Sequence, residues 1–287
     1  MAGYIPSRGS LGAPEPGVRT PGGVAESAGV RLLLSVLVWT WIALWATVLV
    51  LLSVVLFIPF NPWTDPRRRV MDFMNRLWAR GSFWAMPGIV IEVVGEERLR
   101  EHPGPFVICS NHQSVADIPL MLAVLPPFKF IAKPPLFWVP ILGLQLRLTG
   151  HIEAGRGEEG AAQRVLSRSM VWLQRGANIL AFPEGTRSRD DRVLRFGQGP
   201  FALAQRAGVP VLPVSVSGTG EVIAKGRFLY RFVGRFRVEI LEPVRVEGDP
   251  KAVASRVRSL IQEAVERGVT RPRVQGAESS QSGASRP

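Results

Sequence analysis

The fold of this chain is constrained most by an uncharged run of 29 residues, from 32 to 60. A helix needs about 20 apolar residues to cross a bilayer, so the run predicts a membrane-embedded segment, either one tilted spanning helix or a bent re-entrant hairpin. A secretory signal is disfavoured because the apolar run is about twice too long and follows a polar arm. Four tryptophans are candidate anchors at the membrane interface: Trp39, Trp41, Trp45 and Trp63.

Basic residues set the expected orientation of this segment. Arg67, Arg68 and Arg69 form a denser cluster than the arginines that precede the run. By the positive-inside rule, the chain after residue 60 is predicted to lie on the cytoplasmic face, which in a bacterium is that of the inner membrane.

A basic amphipathic helix is predicted directly after this cluster. Apolar side chains recur there at helical spacing, at Val70, Phe73, Met74, Leu77 and Trp78. Charged side chains fall on the other faces of the same helix: Arg69, Asp72, Arg76 and Arg80. This pattern is typical of a helix lying on anionic lipid, and packing against a globular domain is the alternative.

Net charge and cysteine content narrow the possible partners. The chain carries a formal net charge of +12, and 31 of its 35 basic residues are arginine. Such a surplus suits nucleic acid, anionic lipid or phosphorylated substrates. The uncharged run and the lack of any nucleic-acid-binding motif favour membrane lipid over nucleic acid. Cys109 is the sole cysteine, so no intrachain disulfide can form.

Strands alternate with helices from residue 87 onward. Runs typical of strands lie at 89–95, 105–109, 128–133, 151–154, 178–182, 209–217 and 234–241, and runs typical of helices at 118–125, 158–175, 199–207 and 249–267. This alternation predicts an α/β domain over residues 87–267, with a mostly parallel sheet flanked by helices. The expected order is a disordered arm (1–30), a membrane anchor with its amphipathic helix (31–86), this domain, and a disordered tail (268–287).

One polar motif lies in the turn between the strand at 105–109 and the helix at 118–125. It contains His112, followed five positions later by Asp117. On one helix such side chains would diverge by about 140°, but in a turn they can converge. The carboxylate would then accept a hydrogen bond from one ring nitrogen and leave the other as a base. The alternative is that Ser114 or Asp117 caps the helix and His112 has no catalytic role.

A second polar motif, Phe-Pro-Glu-Gly-Thr-Arg-Ser-Arg, directly follows the strand at 178–182. Ligands of open α/β sheets gather at the carboxyl ends of strands, where both motifs fall. Arg187 can present a planar donor fork to a phosphate, and Glu184 can hold that arginine or a substrate hydroxyl. Gly185 lets the backbone approach a ligand closely. An ordinary turn with a surface ion pair is the alternative.

Together the two motifs resemble the signatures of the glycerolipid acyltransferase family, which includes the lysophosphatidic acid (1-acyl-sn-glycerol-3-phosphate) acyltransferases. The stretch NHQSVAD has the pattern N-H-x-x-x-x-D, and FPEGTRS is the second signature. Residues that fit the family's intermediate block are Lys133, Pro140, Gly143, Gly150 and Arg156, and residues 209–218 resemble its fourth block. The resemblance covers about residues 85–220.

The resemblance implies a reaction. His112 would be the general base that deprotonates the acceptor hydroxyl for attack on the thioester of acyl-CoA or acyl-carrier protein, and Asp117 would orient it. The acceptor would be lysophosphatidic acid and the product phosphatidic acid. Substrate-binding residues would be Lys133, Arg156, Glu184, Gly185, Thr186 and Arg187. Neither a cofactor nor a metal is implied beyond the acyl donor, and Cys109 is expected to be a buried strand residue rather than a nucleophile.

The sequence departs from the family pattern near the expected phosphate site. Gly155 precedes Arg156 where an acidic residue is usual, Phe196-Gly197-Gln198-Gly199 lacks a lysine, and Lys133-Pro134-Pro135-Leu136 replaces K-x-E-L. Another acceptor, such as a lyso-ornithine lipid, therefore stays open. A non-catalytic membrane lipid-binding protein is a further hypothesis, whereas a hydrolase is disfavoured because no G-x-S-x-G motif occurs.

Overall fold

The computed structural model describes residues 28–86, 88–155, 160–188, 192–223, 226 and 228–268. Most of the predicted arm and tail, together with Arg156, lies outside the described residues. Two boundaries differ from the prediction, because the first helix already begins at Ala28 and the last one includes Gly268.

The described elements follow the predicted alternation. The helices are α1 (Ala28–Phe57), α2 (Arg69–Trp84), α3 (Glu97–Glu101), α4 (Asp117–Val124), α5 (Leu142–Thr149), α6 (Ala161–Gln174), α7 (Gly199–Ala207), α8 (Thr219–Val222) and α9 (Pro250–Gly268), with a 3-10 helix at Pro134–Trp138. The strands are β1 (Ile89–Val94), β2 (Val107–Ser110), β3 (Phe128–Ala132), β4 (Ile152–Glu153), β5 (Asn178–Ala181), β6 (Val211–Ser217) and β7 (Gly234–Ile240). The short helices α3 and α8 were not predicted, because four or five residues carry too little periodicity to detect.

The strands described here form one sheet in the order β1-β7-β6-β2-β5-β3-β4. Neighbouring strands run parallel except for β6 and β7, so the prediction of a mostly parallel sheet is confirmed. The carboxyl ends of β2, β5 and β3 therefore meet at one edge of the sheet, where both polar motifs begin.

Helices cover both faces of the sheet, as parallel strands require. Ile108 of β2 points into a core shared with α1, α2 and α4. Its neighbours Val107 and Cys109 point the other way, into a core shared with α6, α7 and α9. The two layers are called here the α1 face and the α9 face.

The apolar run forms the single continuous helix α1, so the hairpin alternative is wrong. It is the one described helix that is long and apolar enough to cross a membrane. One side of it is buried on the domain along most of its length: Ser35, Val38, Leu49, Val50 and Ser53. The opposite side is an exposed apolar stripe, spaced to lie within about 60° of arc on a helix: Leu33, Leu37, Leu44, Val48, Leu51 and Val55.

Three of the four predicted tryptophan anchors instead hold α1 against the rest of the chain. The indole N–H of Trp39 donates to the Phe228 carbonyl at 2.8 Å, and those of Trp41 and Trp45 donate to carbonyls of α2. Gly81 permits this close approach, since a Cβ there would lie 2.1 Å from the Trp45 indole nitrogen. Trp63 remains 90% exposed and available to a membrane.

The second predicted membrane element, α2, packs on the domain against α4 instead of lying free of it. Its buried side includes Met71 and Asp72, whereas Phe73 and Trp84 are exposed. Asp72, which the sequence pattern placed on a face other than the apolar one, is therefore buried with the apolar side chains. Its carboxylate accepts a hydrogen bond of 2.7 Å from the fully buried Lys129 Nζ of β3.

Candidate active site

His112 and Asp117 converge where β2 gives way to α4, as their spacing predicted. His112 Nδ1 lies 2.8 Å from Asp117 Oδ2. The Asp117 side chain is fully buried, whereas 17% of the His112 side chain is exposed. With the carboxylate ionised, Nδ1 donates the hydrogen bond and Nε2 is left as the proton acceptor. This geometry is that of a base held in one tautomer.

The capping alternative is wrong for Asp117. Its Oδ2 also accepts hydrogen bonds from the backbone N–H groups of Gln113 and Ser114, at 2.7 and 2.9 Å, and both residues precede the helix. A capping carboxylate would instead accept from the second or third residue of the helix. The Ser114 hydroxyl donates to the Ile223 carbonyl, so it ties the turn to the segment after α8.

Thr219, the first residue of α8, completes the surroundings of Asp117. Its hydroxyl donates to Asp117 Oδ1 at 2.5 Å. The Asn111 side chain joins the end of β2 to β6. It donates to the Val216 carbonyl at 2.7 Å and accepts from the Val216 N–H at 2.8 Å. The turn that carries His112 is therefore fixed to the end of β6. Sequence reasoning missed Thr219, which lies 102 positions from Asp117.

The second motif contacts the first directly. Glu184 Oε1 accepts the His112 backbone N–H at 2.9 Å, and the Ser188 N–H donates to the His112 carbonyl at 2.8 Å. Glu184 Oε2 accepts the Leu194 N–H at 3.0 Å. Burial raises the pKa of Glu184 above its ordinary value, and the hydrogen bonds from the His112 and Leu194 N–H groups oppose that rise. Glu184 therefore braces the turn that carries His112, a contact that its sequence motif did not predict.

Phe182 restricts the His112 ring. The two rings stack with centroids 4.1 Å apart and an interplanar angle of 18°. The contact limits rotation of the imidazole about its Cβ–Cγ bond, so that the Asp117 hydrogen bond is retained. Sequence reasoning assigned no role to Phe182. The one feature that could have indicated its contact with His112 is its position at the end of a strand, directly before Pro183.

The other predicted site residues that the structure describes lie at the same sheet edge. Gly185 has a positive φ of 66°, and its N–H donates to the Phe182 carbonyl in a tight turn. Thr186 is exposed and Arg187 is half-buried. Lys133 is exposed directly after β3, the strand adjacent to β5. Arg156 lies outside the described residues, so its predicted role is untested.

Cys109 is fully buried in the core on the α9 face. Burial raises the pKa of its thiol well above the ordinary value, so the nucleophilic thiolate is disfavoured. The predicted buried position is confirmed. Within the described segments, no group of three or more histidine, cysteine, aspartate or glutamate side chains is placed to hold a metal ion.

Comparison with known proteins agrees with this geometry. Residues 90–217 match the sequence model of a family described as Acyltransferase. The chloroplastic 1-acyl-sn-glycerol-3-phosphate acyltransferase LPAT1 of Arabidopsis thaliana is 36% identical over 200 residues, which are 69% of this chain and 55% of the relative. The 1-acyl-sn-glycerol-3-phosphate acyltransferase alpha of Mus musculus is 36% identical over 177 residues, 60% of this chain and 62% of the relative. This chain thus spans little more than half the length of such curated relatives.

A solved structure resembles a larger part of the chain. The 1-acyl-sn-glycerophosphate (LPA) acyltransferase PlsC from Thermotoga maritima superposes with a TM-score of 0.71 at 28% sequence identity. The match covers 84% of this chain and 98% of that one. Residues 90–217 of the chain therefore form a domain that matches the Acyltransferase family model.

Proposed function

We propose that this chain is a membrane-associated 1-acyl-sn-glycerol-3-phosphate acyltransferase. It would transfer an acyl chain from acyl-CoA or acyl-carrier protein to the free hydroxyl of lysophosphatidic acid, giving phosphatidic acid. The observation that carries the proposal is the contact between His112 and Asp117 at the carboxyl end of β2. The names of the curated relatives and of the structural neighbour support the choice of acceptor.

His112 would act first as a base and then as an acid. Its Nε2 removes the proton of the acceptor hydroxyl while that oxygen attacks the thioester carbonyl. The tetrahedral intermediate then collapses, the carbon–sulfur bond breaks, and the imidazolium returns its proton to the thiolate. Asp117 remains ionised and stabilises the imidazolium. Base catalysis of this kind contributes about 10²–10⁴-fold, and positioning of both substrates contributes much of the rest.

Cationic residues at the sheet edge would hold the phosphate of the acceptor. Arg187 follows Glu184 in the loop that contacts His112, and Lys133 extends from the end of the neighbouring strand. Arginine forms paired hydrogen bonds with phosphate oxygens, whereas lysine acts as a point charge. Arg156 is proposed to join them, on the family resemblance alone.

The chain would bind a membrane through the exposed stripe of α1, with its catalytic domain on the cytoplasmic face. That stripe runs from Leu33 to Val55, about 33 Å along the helix axis. Because the opposite side of α1 packs on the domain, the helix would lie in one leaflet and not cross the bilayer. The acceptor, which is itself a lipid, would then reach His112 from the α1 face.

Replacing the base tests the proposal. We expect His112→Ala to reduce acyl transfer to lysophosphatidic acid at least about 100-fold, because the acceptor hydroxyl loses its base. The assay uses the full chain in detergent micelles, acyl-CoA or acyl-carrier protein as donor, and a panel of lysolipid acceptors that includes a lyso-ornithine lipid. His102→Ala is the matched control, since His102 is an exposed histidine beside Glu242, outside the site.

Each result of this assay has a definite meaning. Activity retained by His112→Ala would contradict the mechanism. If the wild-type chain transferred the acyl group to lyso-ornithine lipid alone, that lipid, and not lysophosphatidic acid, would be the acceptor. Lysolipid binding without transfer to any acceptor would favour a non-catalytic lipid-binding protein.

A further inference from the structure

A second feature of the active-site edge is a cavity of about 540 Å³ beside Glu184. Its lining includes two cations from separate parts of the chain, Arg195 in the segment before α7 and Lys251 in the first turn of α9. Besides Pro183, Glu184 and Gly197, the side chains of Phe196 and Gln198 line the cavity together with these two cations. The proposed mechanism assigns no role to these four residues.

The walls of this cavity are held in place from two sides. On the catalytic side, the Leu194 N–H donates to Glu184 Oε2 and the Gly197 N–H donates to the Pro183 carbonyl at 2.9 Å. On the far side, the Arg258 guanidinium of α9 donates to the Val193 carbonyl at 2.8 Å. The segment that carries Arg195 is therefore fixed between the catalytic loop and α9, so its position relative to His112 is defined.

The cavity lies on the side of the domain away from the membrane helix. Phe196 belongs to the core on the α9 face, whereas Phe182, which stacks on His112, packs against the core on the α1 face. The two faces of the domain thus offer two approaches to the sheet edge that carries His112. A lipid acceptor would use the α1 face, and a water-soluble substrate would use the α9 face.

We propose that this cavity binds the phosphate end of the acyl donor's phosphopantetheine arm. The inference rests on the proposed function, since it takes a phosphopantetheine thioester as the donor. That arm is common to CoA and to carrier protein, and its phosphate is anionic, as are the nucleotide of CoA and the acidic residues of a carrier protein. Arg195 and Lys251 supply the complementary charge, and the thioester reaches His112 along the Glu184 wall.

The test is the double variant Arg195→Ala/Lys251→Ala, with Arg206→Ala/Arg256→Ala as the charge-matched control, since Arg206 on α7 is exposed and does not line the cavity. Arg256 is exposed on α9 and does not line the cavity. Loss of one charge-assisted phosphate contact weakens binding about tenfold. We therefore expect the KM for acyl-CoA to rise at least about tenfold, with the KM for lysophosphatidic acid and the Tm unchanged.

Direct binding separates this inference from the proposed function. Titration of the wild-type chain with CoA alone, and separately with holo-carrier protein, measures the affinity for each donor without any acyl transfer. The double variant should lose affinity for whichever of the two the wild type binds, and the loss should shrink at high salt. If the wild type binds a donor in this way but acylates no lysophosphatidic acid, the assigned acceptor is wrong and the donor site stands.

Two results would overturn the inference. One is a rise in the KM for lysophosphatidic acid with donor affinity unchanged, because the cavity would then hold the acceptor's phosphate. The other is wild-type donor affinity in the double variant, because no donor phosphate would then contact these cations.

Discussion

The Asp117 carboxylate accepts four hydrogen bonds, three from the turn after β2 and one from the first residue of α8. Three donors come from its own motif, namely His112 and the backbone of Gln113 and Ser114. The fourth is the Thr219 hydroxyl on α8. These donors satisfy both oxygens of the buried carboxyl group, and the contact with Nδ1 holds the His112 imidazole in the tautomer that leaves Nε2 free. In the proposed mechanism, Thr219 therefore acts on His112 through Asp117, as a positioning residue.

Removing the Thr219 hydroxyl should lower both activity and stability. We expect Thr219→Val to reduce kcat about tenfold and the free energy of unfolding by about 1–3 kcal/mol, because Asp117 Oδ1 loses a charge-assisted hydrogen bond. Thr219→Ser, which keeps the hydroxyl, is the matched control and should restore most of kcat. Steady-state kinetics and urea titrations in detergent measure the two effects. Wild-type kcat in Thr219→Val would show that this hydrogen bond does not position the base.

Single-residue roles could be predicted from the sequence where both partners share one motif. His112 and Asp117 are five positions apart, and the turn between a strand and a helix is readable from local pattern. Thr219, Asn111 and Glu184 make their contacts across 72 to 105 positions. Those contacts depend on which strands are neighbours in the sheet, and sequence periodicity does not carry strand order.

At the scale of elements, a buried ion pair joins α2 to β3 of the domain. Asp72 and Lys129 are both buried, and the ammonium group also lies 4.8 Å from the centroid of the Trp172 ring. The sequence pattern placed Asp72 away from the apolar face, because helical periodicity assigns only apolar side chains to the buried face of a helix. A buried lysine opposite it, on a strand 57 positions away, makes the inward orientation favourable.

This ion pair predicts a pH-dependent stability defect. Burial raises the pKa of Asp72 to about 6, against the attraction of Lys129. Because that pKa is raised on folding, the folded state binds the proton more readily, and the free energy of unfolding increases as pH falls through about 6. Lys129→Met leaves the carboxylate unpaired and should destabilise the chain by about 3–5 kcal/mol at pH 7.5. The defect should shrink at pH 5, where Asp72 is protonated.

Urea titrations at the two pH values check this prediction, with Asp72→Leu/Lys129→Met as the control. Replacing both ions by apolar side chains is often neutral or stabilising, so the control should lack both the defect and its pH dependence. His151 stays neutral over this range, because burial holds its pKa well below the ordinary value. A defect equally large at pH 5 and pH 7.5 would show that lost packing, and not the unpaired charge, destabilises Lys129→Met.

At the scale of the whole molecule, the domain extends along nearly the full length of α1. Near its amino end, the Arg31 guanidinium donates to the Tyr230 carbonyl at 2.9 Å, and Ser35 accepts the Tyr230 N–H. Near its carboxyl end, Leu49, Val50 and Ser53 are buried, and α1 also packs against α5. A helix that crossed the bilayer would have these two ends on opposite sides of about 30 Å of hydrocarbon. Apolarity and length gave no means of separating a spanning helix from one that lies along a domain.

Both ends of α1 should therefore be accessible from the same side of a membrane. Val30 and Ile58 are exposed and about 42 Å apart along a helical path. Single replacements Val30→Cys and Ile58→Cys supply reporters, because the native Cys109 is buried and does not compete for reagent. With full-length protein bound from outside to sealed vesicles, a membrane-impermeant maleimide should label both positions to the same extent. Protection of Val30→Cys alone, relieved by detergent, would mean that α1 leaves the domain and spans the bilayer, and the contacts of Arg31 and Ser35 with Tyr230 would then have to break on insertion.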